Sequence, residues 1–169
     1  MIPIYLDPAR TRIALIGRGE LAERRLRWLR DAGAEVELWS DALPQSESDL
    51  ALYHVVWIAD LEPEESRKLA EAARAAGVLV NVEDNVPLCD FHTPALVRRG
   101  RLTLSVGTGG ASPAVARAVR ERLEEVFPED WTEALEEIAR ARDALRANGA
   151  TTEILIADAR ERLHARNLI

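Results

Sequence analysis

The chain contains one cysteine, Cys89, and one lysine, Lys68, among its 169 residues. A single thiol excludes an internal disulfide and favours a reducing compartment, so we expect a cytoplasmic protein. No apolar run approaches the length of about 18 residues that a membrane-spanning helix needs. The first residues also lack the basic and then apolar pattern of a leader peptide. We therefore expect no membrane partner.

Blocks of basic residues are also missing. The net charge is −7, and arginine supplies nearly all of the positive charge. This charge pattern argues against binding to nucleic acid or to an anionic membrane. A content of 47% hydrophobic and 30% charged residues is typical of a globular protein. The length allows one good core, or a compact domain with a smaller appendage.

The most informative stretch begins with the apolar run Ile13–Ile16. A glycine-containing turn follows, and a charged helical pattern then extends from Glu20 to about Ala32. The spacing is the Gly-x-Gly-x-x-Ala form of the dinucleotide-binding motif, in the strand–turn–helix setting that this motif requires. An ordinary strand–turn–helix unit without a ligand is the alternative interpretation. The candidate cofactor-binding residues of the turn are Gly17, Arg18, Gly19, Glu20, Leu21 and Ala22.

Each small residue of this turn has a physical role in the motif. Gly17 allows a tight turn, Gly19 lets the backbone approach a pyrophosphate, and Ala22 lets the helix pack on the strand. The free N–H groups and the positive dipole end at the helix N-terminus then favour an anion. These roles predict that the turn holds the pyrophosphate of a dinucleotide.

A second apolar run, Val36–Trp39, follows the first helix and completes a βαβ unit. Asp41 lies about 20 residues beyond the glycines, where an acid can bind the adenosine ribose hydroxyls. Such an acid favours NAD over NADP because it repels a 2′-phosphate. The alternative role for Asp41 is that of a turn residue before Pro44.

The following segments predict an α/β fold with a Rossmann-type parallel sheet over residues 1–90. His54–Ala59 is a continuous apolar run, as expected for a central parallel strand. Ala59 and Asp60 then fall at the cofactor edge. A helix that begins at Pro63 leads to a fourth strand, Val78–Val82. Residues 41–53 leave room for only one helical turn, and Ile2–Leu6 is predicted to be a short strand or an arm on the sheet.

The rest of the chain predicts a hairpin and then helices. Two strands are expected at Phe91–Val97 and Leu102–Val106, and a helix from Pro113 to about Phe127. A second helix opens with Asp130 and Glu133 in capping-box spacing, and a third covers Thr152–Ala165. We therefore divide this part into a segment at residues 91–127 and a small C-terminal helical region at residues 128–169.

Three stretches carry a specific resemblance to a known family. They are Asn-Val-Glu-Asp-Asn at 81–85, Leu-Cys-Asp-Phe-His-Thr-Pro-Ala-Leu-Val-Arg-Arg-Gly at 88–100, and Thr-Gly-Gly-Ala-Ser-Pro-Ala-Val-Ala-Arg at 108–117. In these stretches the chain resembles the precorrin-2 dehydrogenases, including the N-terminal module of siroheme synthase. Residues 3–7 and 16–25 fit the same pattern, and the likeness covers residues 1 to about 127.

The resemblance implies NAD-dependent oxidation of precorrin-2 to sirohydrochlorin, a tetrapyrrole, in siroheme or cobalamin biosynthesis. Some relatives also insert ferrous iron into the product, which is a ferrochelatase (lyase) activity. The resemblance further implies a homodimer in which the segment at residues 91–127 exchanges between subunits.

The resemblance also assigns roles to individual residues. The family's catalytic aspartate falls on Asp84, whose carboxylate can accept a proton, hold the ring or take pyrrole protons during metal insertion. Taken alone, an aspartate in this setting is usually a loop former. Ser112 matches an active-site serine, although a serine before a proline is also an ordinary helix N-cap. Candidates for the eight substrate carboxylates are Thr108, Gly109, Gly110 and Arg117, together with Arg98, Arg99 and Arg101.

The sequence departs from the family pattern at several positions. Arg18 stands in the middle of a turn that usually has three glycines, and Ala59-Asp60-Leu61 replaces Ala-Thr-Asp. The stretch at residues 41–53 is shortened, and His92 replaces an apolar residue. These departures leave two alternatives: a non-catalytic dinucleotide- or tetrapyrrole-binding module, and a nucleotide-binding subunit with an unrelated small substrate. Cys89 and His92 have an i, i+3 spacing, but we interpret them as a packed thiol and a surface histidine and predict no metal site.

Overall fold

The structure is a computed structural model that describes residues 2–169. It divides into two compact units, the first ending at His92 and the second extending from Thr93 to Ile169. Within residues 2–169, no helix has both the length and the hydropathy that crossing a bilayer requires.

The first unit contains a four-stranded parallel sheet in the order β2-β1-β3-β4. The strands are β1 (Ile13–Gly17), β2 (Val36–Trp39), β3 (Val55–Ala59) and β4 (Leu79–Val82). The helices are α1 (Glu20–Asp31), α2 (Glu47–Leu50) and α3 (Pro63–Ala75). The structure thereby confirms the predicted α/β class, and β3 lies between β1 and β4 as its unbroken apolar sequence indicates.

Alternate residues of the central strands supply two cores, one on each face of the sheet. Every residue of β1 and β3 is buried. On one face, Ala14 and Ile16 lie in a cluster with Leu69 of α3. On the other face, Leu15 lies in a cluster with Leu29 of α1. Because side chains alternate along a strand, a fully apolar strand is stable only when helices cover both faces.

The shortened stretch at residues 41–53 folds into one helical turn, as predicted. Ser46 caps α2 by accepting a hydrogen bond from the Asp49 backbone, while the Asp49 side chain accepts one from the Ser46 backbone. Leu50 and Tyr53 are buried in the core. The Trp39 indole donates to the Tyr53 hydroxyl at 3.0 Å. Burial raises the pKa of Tyr53, which keeps this buried hydroxyl in its neutral form.

Of the two alternatives predicted for Ile2–Leu6, a short strand or an arm on the sheet, the strand does not form. These residues have no regular secondary structure, and the side chains of Ile2, Ile4 and Tyr5 are largely exposed. A short 3-10 helix at Pro8–Arg10 then leads into β1. Alternation over five residues is a weak signal, because a strand also needs a neighbour to accept its backbone hydrogen bonds.

The second unit consists of an antiparallel hairpin and three helices. The elements are β5 (Ala95–Arg99), β6 (Leu102–Val106), α4 (Pro113–Val126), α5 (Asp130–Ala147) and α6 (Thr152–Ala165). A two-residue turn joins the strands, and its first residue, Gly100, has a φ of 56°. Glycine is favoured there because tight hairpin turns require a positive φ.

Two boundary predictions in this region are wrong. The predicted strand at Phe91–Val97 begins only at Ala95, because the Phe91 carbonyl accepts a hydrogen bond from the Asn81 side chain at 2.8 Å. The predicted capping box at Asp130 is also absent: Glu129 occupies the N-cap position without a side-chain bond, and Asp130 is the first helical residue. Asp130 and Glu133 instead lie in the first turn, where acidic residues complement the helix dipole.

Helices α5 and α6 are joined by ion pairs. Glu137 of α5 accepts from Arg162 at 2.6 Å and from Arg166 at 2.8 Å. Arg166 and then Arg162 hold the pKa of Glu137 below its ordinary value. The small C-terminal helical region is therefore a helical hairpin with an electrostatic link between its arms.

Candidate functional site

The carboxyl ends of the four parallel strands gather the predicted site residues of the first unit at one edge. The glycine turn follows β1, Asp41 follows β2, Asp60 follows β3, and Asp84 follows β4. The strand order reverses at β1, since β2 lies on one side of it and β3 on the other. Ligands of open α/β sheets bind at such a switch point, outside the carboxyl ends of the strands.

Gly17 ends β1 in very close approach to β3. It pairs with Ala59, and a Cβ atom built at Gly17 would lie 1.8 Å from the Ala59 carbonyl oxygen. The φ of Gly17 is 137°, which L side chains rarely adopt. Only glycine therefore fits at this position, and the prediction that the first glycine serves a tight turn agrees with the geometry.

Asp60 lies against the first turn of α1. Its Oδ2 atom accepts hydrogen bonds from the backbone N–H of Leu21 at 2.7 Å and of Ala22 at 3.1 Å. A Cβ atom at Gly19 would lie 2.7 Å from the same oxygen. The backbone of Asp60 is left-handed, with a φ of 54°. The helix N-terminus is therefore an anion site, and a carboxylate of this chain is bound to it.

The other turn residues differ in their exposure to solvent. Ala22 is buried in the cluster beneath α1, where only a small residue lets the helix approach the sheet. Arg18 and Glu20 are exposed at the start of the helix. Arg18 therefore projects a positive charge from the turn itself.

Asp41 lies beside a shallow depression at the end of β2. The depression has a volume of about 240 Å³ and is lined by Glu37, Leu38, Trp39, Ser40, Asp41 and Ala42. Asp41 is exposed, so its carboxylate is accessible to a hydroxyl-bearing ligand.

Asp84 occupies the turn that directly follows β4. The Asn85 N–H donates to the Val82 carbonyl at 3.2 Å, which closes a tight turn. Asp84 is exposed within it and has a φ of 57°. Non-glycine residues rarely adopt this conformation, and aspartate tolerates it better than most. At about 4.8 Å per strand, this turn lies about 10 Å along the edge from the end of β1.

An ion pair between Arg25 of α1 and Glu83 holds the residue before Asp84. The Arg25 Nε donates to Glu83 Oε1, and the two side chains are only 13% and 10% exposed. The Arg25 guanidinium also stacks on the Trp28 ring, 4.8 Å from its centroid. Sequence reasoning missed both charged residues, because a pair 58 positions apart leaves no periodic signal.

The thiol of Cys89 contacts the backbone on both sides of Asp84, at Val82 and Asn85. Its Sγ accepts from the Val82 N–H at 3.3 Å and lies 3.2 Å from the Val82 carbonyl and 3.3 Å from that of Asn85. Burial raises the pKa of Cys89. The thiol is therefore a protonated structural group, which agrees with its interpretation as packed. Across residues 2–169, no cluster of three or more histidine, cysteine, aspartate or glutamate side chains has the arrangement of a metal site.

The loop ends at Asp90, which is fixed from two directions. Its carboxylate accepts from Arg74 at 2.7 Å and from the Val80 N–H at 3.0 Å. Arg74 also donates to the Leu88 carbonyl at 2.7 Å. Asp84 therefore lies on a loop that is fixed at its start, its middle and its end.

The remaining predicted residues belong to the second unit. Ser112 is the N-cap of α4 and accepts from the Val115 N–H at 3.2 Å. Thr108 closes the preceding turn by accepting from the Ser112 N–H at 3.2 Å. Gly109 and Gly110 have φ values of 64° and 83°. Arg117 is exposed and pairs with Glu121 on the same helix at 2.8 Å.

Arg99 differs from Arg98, Arg101 and Arg117 because its side chain is only 11% exposed, whereas those three residues are exposed. Arg99 donates to the Phe127 carbonyl at 2.7 Å and pairs with Glu129 at 3.2 Å. These contacts satisfy the carboxyl end of α4, which removes Arg99 from the arginines available to a substrate.

The parallel sheet, its switch point and the N–H groups of Leu21 and Ala22 define a dinucleotide-binding α/β protein. A Cβ at Gly19 would meet the Asp60 carboxylate, so this glycine leaves room for an anionic group at the helix N-terminus, as the binding of a pyrophosphate requires. The chain belongs to the family described as putative NAD(P)-binding, which matches residues 4–95. This confirms the prediction of NAD as the type of cofactor.

The chain is similar to siroheme synthases. It is 32% identical to that of Nitrosomonas europaea over 86% of this chain and 34% of the relative. It is 32% identical to siroheme synthase 1 of Pectobacterium atrosepticum over 75% of this chain and 30% of the relative. The chain thus spans about a third of these relatives, and the resemblance predicted from its sequence is confirmed.

A solved structure has the same fold. It is described as SirC, a precorrin-2 dehydrogenase, and superposes with a TM-score of 0.70 at 20% identity, covering 95% of this chain and 88% of the other.

Proposed function

We propose that this protein is an NAD-dependent precorrin-2 dehydrogenase that produces sirohydrochlorin in siroheme biosynthesis. The observation that carries the proposal is the exposed carboxylate of Asp84, held on a fixed loop at the same sheet edge as the dinucleotide turn. The name of the similar solved structure and the similarity to siroheme synthases support the choice of substrate.

The proposed reaction removes a hydride and a proton from the reduced macrocycle. Bound NAD supplies the hydride acceptor. The turn after β1 would hold the pyrophosphate of this NAD, and Asp41 would bind its adenosine ribose. Asp84 accepts the proton or orients the ring through its pyrrole N–H groups. The Arg25–Glu83 pair fixes the backbone from which Asp84 projects.

We propose that several residues of the second unit bind the substrate. The turn at Thr108, Gly109 and Gly110 precedes the N-terminus of α4, which favours a carboxylate. Arg117 is exposed on the first turns of the same helix and can pair with another carboxylate. We propose these residues, with Ser112, as contacts for the acidic periphery of the tetrapyrrole.

We also propose that the protein is a cytoplasmic homodimer through residues 91–127. Helix α4 has no buried residue, and Val115, Val119 and Val126 on it are exposed. Exposed valines on a helix with a polar remainder favour a partner subunit.

Iron insertion is a second proposed activity. During metal insertion two pyrrole protons leave the macrocycle, and the exposed carboxylate of Asp84 can receive them in turn. Anaerobic incubation with sirohydrochlorin and ferrous iron, followed by siroheme absorbance, tests this activity independently of NAD.

The central experiment is anaerobic incubation of the protein with precorrin-2 and NAD, following sirohydrochlorin absorbance. We expect turnover that requires NAD and is lost in Asp84→Asn. Asp31→Asn is the matched control, because it removes an exposed aspartate from the end of α1, away from the site edge. Equal loss in both variants, or full activity of Asp84→Asn, contradicts the role of Asp84.

A non-catalytic dinucleotide- or tetrapyrrole-binding module is the second candidate function. The Asp60 carboxylate on the N-terminus of α1 favours this candidate, because it lies where a pyrophosphate binds. Binding of NAD or sirohydrochlorin in calorimetry without turnover would support the module, whereas NAD-dependent turnover would rule it out.

A further inference from the structure

Asp60 occupies the hydrogen-bond donors that the dinucleotide motif provides for a phosphate. Its Oδ2 lies 2.7 Å from the Leu21 nitrogen and 3.1 Å from the Ala22 nitrogen, in the first turn of α1. An incoming pyrophosphate uses N–H groups at the same helix end. One N–H group cannot donate a full hydrogen bond to both anions at once. The carboxylate and the pyrophosphate are therefore alternatives.

We propose that Asp60 is an internal anion that competes with the pyrophosphate and thereby sets the affinity of this protein for NAD. The proposal rests on the NAD-dependent function proposed above and adds an affinity-determining residue to it. A nucleotide binds only in the fraction of molecules in which the carboxylate has left the helix end, so the apparent affinity falls by that fraction.

The geometry around Asp60 gives its carboxylate room at the helix end. The residue directly follows β3 and has a left-handed φ of 54°. The absence of a side chain at Gly19 leaves the space that the carboxylate uses, since a Cβ there would lie 2.7 Å from Asp60 Oδ2. Gly19, which in the motif lets a pyrophosphate approach the backbone, therefore also leaves room for the Asp60 carboxylate.

Displacement of the carboxylate is nevertheless feasible. Asp60 is exposed, so its side chain can rotate into water, where a charged carboxylate is well solvated. If the carboxylate stays nearby, it still repels the two negative charges of the pyrophosphate. Exposed Arg18 provides the only positive charge of the turn sequence Gly17–Ala22 and offsets part of that repulsion. Competition for the N–H groups and charge repulsion both predict that NAD binds more weakly with aspartate at position 60 than with a neutral residue there.

Calorimetry with two ligands tests the proposal. NAD carries the pyrophosphate, whereas adenosine has none. We expect Asp60→Asn to bind NAD about tenfold more tightly than the unmodified protein, with adenosine binding unchanged. Asparagine also tolerates a left-handed backbone, so the fold of the loop is retained. Asp60→Ser is a second variant, which keeps a side-chain acceptor near the helix end and is expected to shift NAD binding in the same direction.

Glu62→Gln is the matched control, because it removes one negative charge from the same loop at an exposed position without a capping bond. Its NAD affinity is expected to stay within twofold of the unmodified protein. Unchanged or weaker NAD binding in Asp60→Asn overturns the proposal. An equal gain for adenosine also overturns it, because the effect would then not act through the pyrophosphate.

Nuclear magnetic resonance of the unmodified protein provides a further test, because the Asp60 carboxyl resonance should not change on NAD binding if Asp60 has only a structural role. Titration with NAD should shift the Asp60 carboxyl resonance as the carboxylate leaves the amides of Leu21 and Ala22. NAD binding that leaves the Asp60 carboxyl signal in place contradicts the proposal. If NAD supports turnover and Asp60→Asn binds it no more tightly, only this inference fails. If neither protein binds NAD, the proposed function fails as well.

Discussion

Arg25 on the first helix is ion-paired with Glu83, the residue directly before Asp84. The pair links the helix that begins at the dinucleotide turn to the loop that carries the proposed catalytic carboxylate. Both side chains are mostly buried, so neither charge is well solvated when its partner is removed.

Glu83→Gln is expected to lower the free energy of unfolding by about 2 kcal/mol, between the values typical of exposed and of fully buried pairs. It should also lower kcat for precorrin-2 while NAD affinity changes little, because the loop moves and the turn does not. Urea denaturation and steady-state kinetics measure the two effects. Glu71→Gln, which breaks an exposed pair with Arg67 on α3, is the control, and an equal effect there would refute the special role of Glu83.

Asp84→Asn removes the negative charge of the carboxylate and leaves the geometry of the turn unchanged. We expect kcat to fall by about 10²- to 10⁴-fold, the usual contribution of a positioned acid or base. The fold should be retained, because asparagine tolerates a left-handed backbone. Asp84→Ala should be about 1 kcal/mol less stable than Asp84→Asn in urea, since alanine is strained in this conformation. Equal stability of the two variants would argue against the left-handed turn.

Gly17→Ala tests the close approach of the first and third strands. A Cβ at Gly17 meets the Ala59 carbonyl oxygen at 1.8 Å, so the strands must separate. We expect a loss of about 3 kcal/mol or more in the free energy of unfolding. Gly77→Ala is the matched control, because its φ is also positive but no atom lies within 4 Å of the added Cβ. It should lose only about 1 kcal/mol, and similar losses in both variants would contradict the predicted clash.

Cys89 gives the protein a pH dependence in the alkaline range. Burial raises the folded-state pKa of the thiol above its unfolded value of about 8.5. The neutral thiol is therefore favoured by folding, and its contribution to stability is complete below about pH 8.5. That contribution is lost as the pH rises through the folded-state pKa.

We therefore expect urea stability to fall between pH 8 and pH 10 by more in the unmodified protein than in Cys89→Ala, in which no thiol titrates. The folded protein should also react slowly with iodoacetamide at neutral pH. Parallel pH profiles for the two proteins, or rapid alkylation, would show that the thiol is not held in its neutral form.

Ser112 can be tested for a role beyond its cap. Ser112→Ala is expected to lose about 1 kcal/mol of stability, because the hydrogen bond from the Val115 N–H is removed. Ser112→Asp keeps an N-cap acceptor but adds a negative charge. If Ser112 contacts substrate carboxylates, Ser112→Asp should raise KM for precorrin-2 with little change in stability. An unchanged KM would limit Ser112 to capping.

Much of the first unit could be predicted because local signals and global packing agree there. The apolar runs at Ile13–Ile16 and Val55–Ala59 are buried on both faces, and such strands are stable only in a sheet covered by helices on both sides. The glycine spacing likewise predicts the turn, since Gly17 has no room for a side chain. The errors fall at Ile2–Leu6, Phe91 and Asp130, where the outcome depends on a backbone partner.

The amino-acid sequence was enough to predict the α/β class, the parallel strands, the dinucleotide turn and the resemblance to precorrin-2 dehydrogenases. These follow from periodicity, glycine spacing and local motifs, which are properties of contiguous residues. The folded structure was needed to show that Glu83 pairs with Arg25, that the Cys89 thiol forms hydrogen bonds within the Asp84 loop, and that Asp60 lies at the N-terminus of α1. The Arg25–Glu83 and Asp60–Leu21 contacts join residues 58 and 39 positions apart, and the Cys89 contacts form where the loop after β4 folds back on the end of that strand. All of them exist only because the strands, helices and loops pack in one particular arrangement.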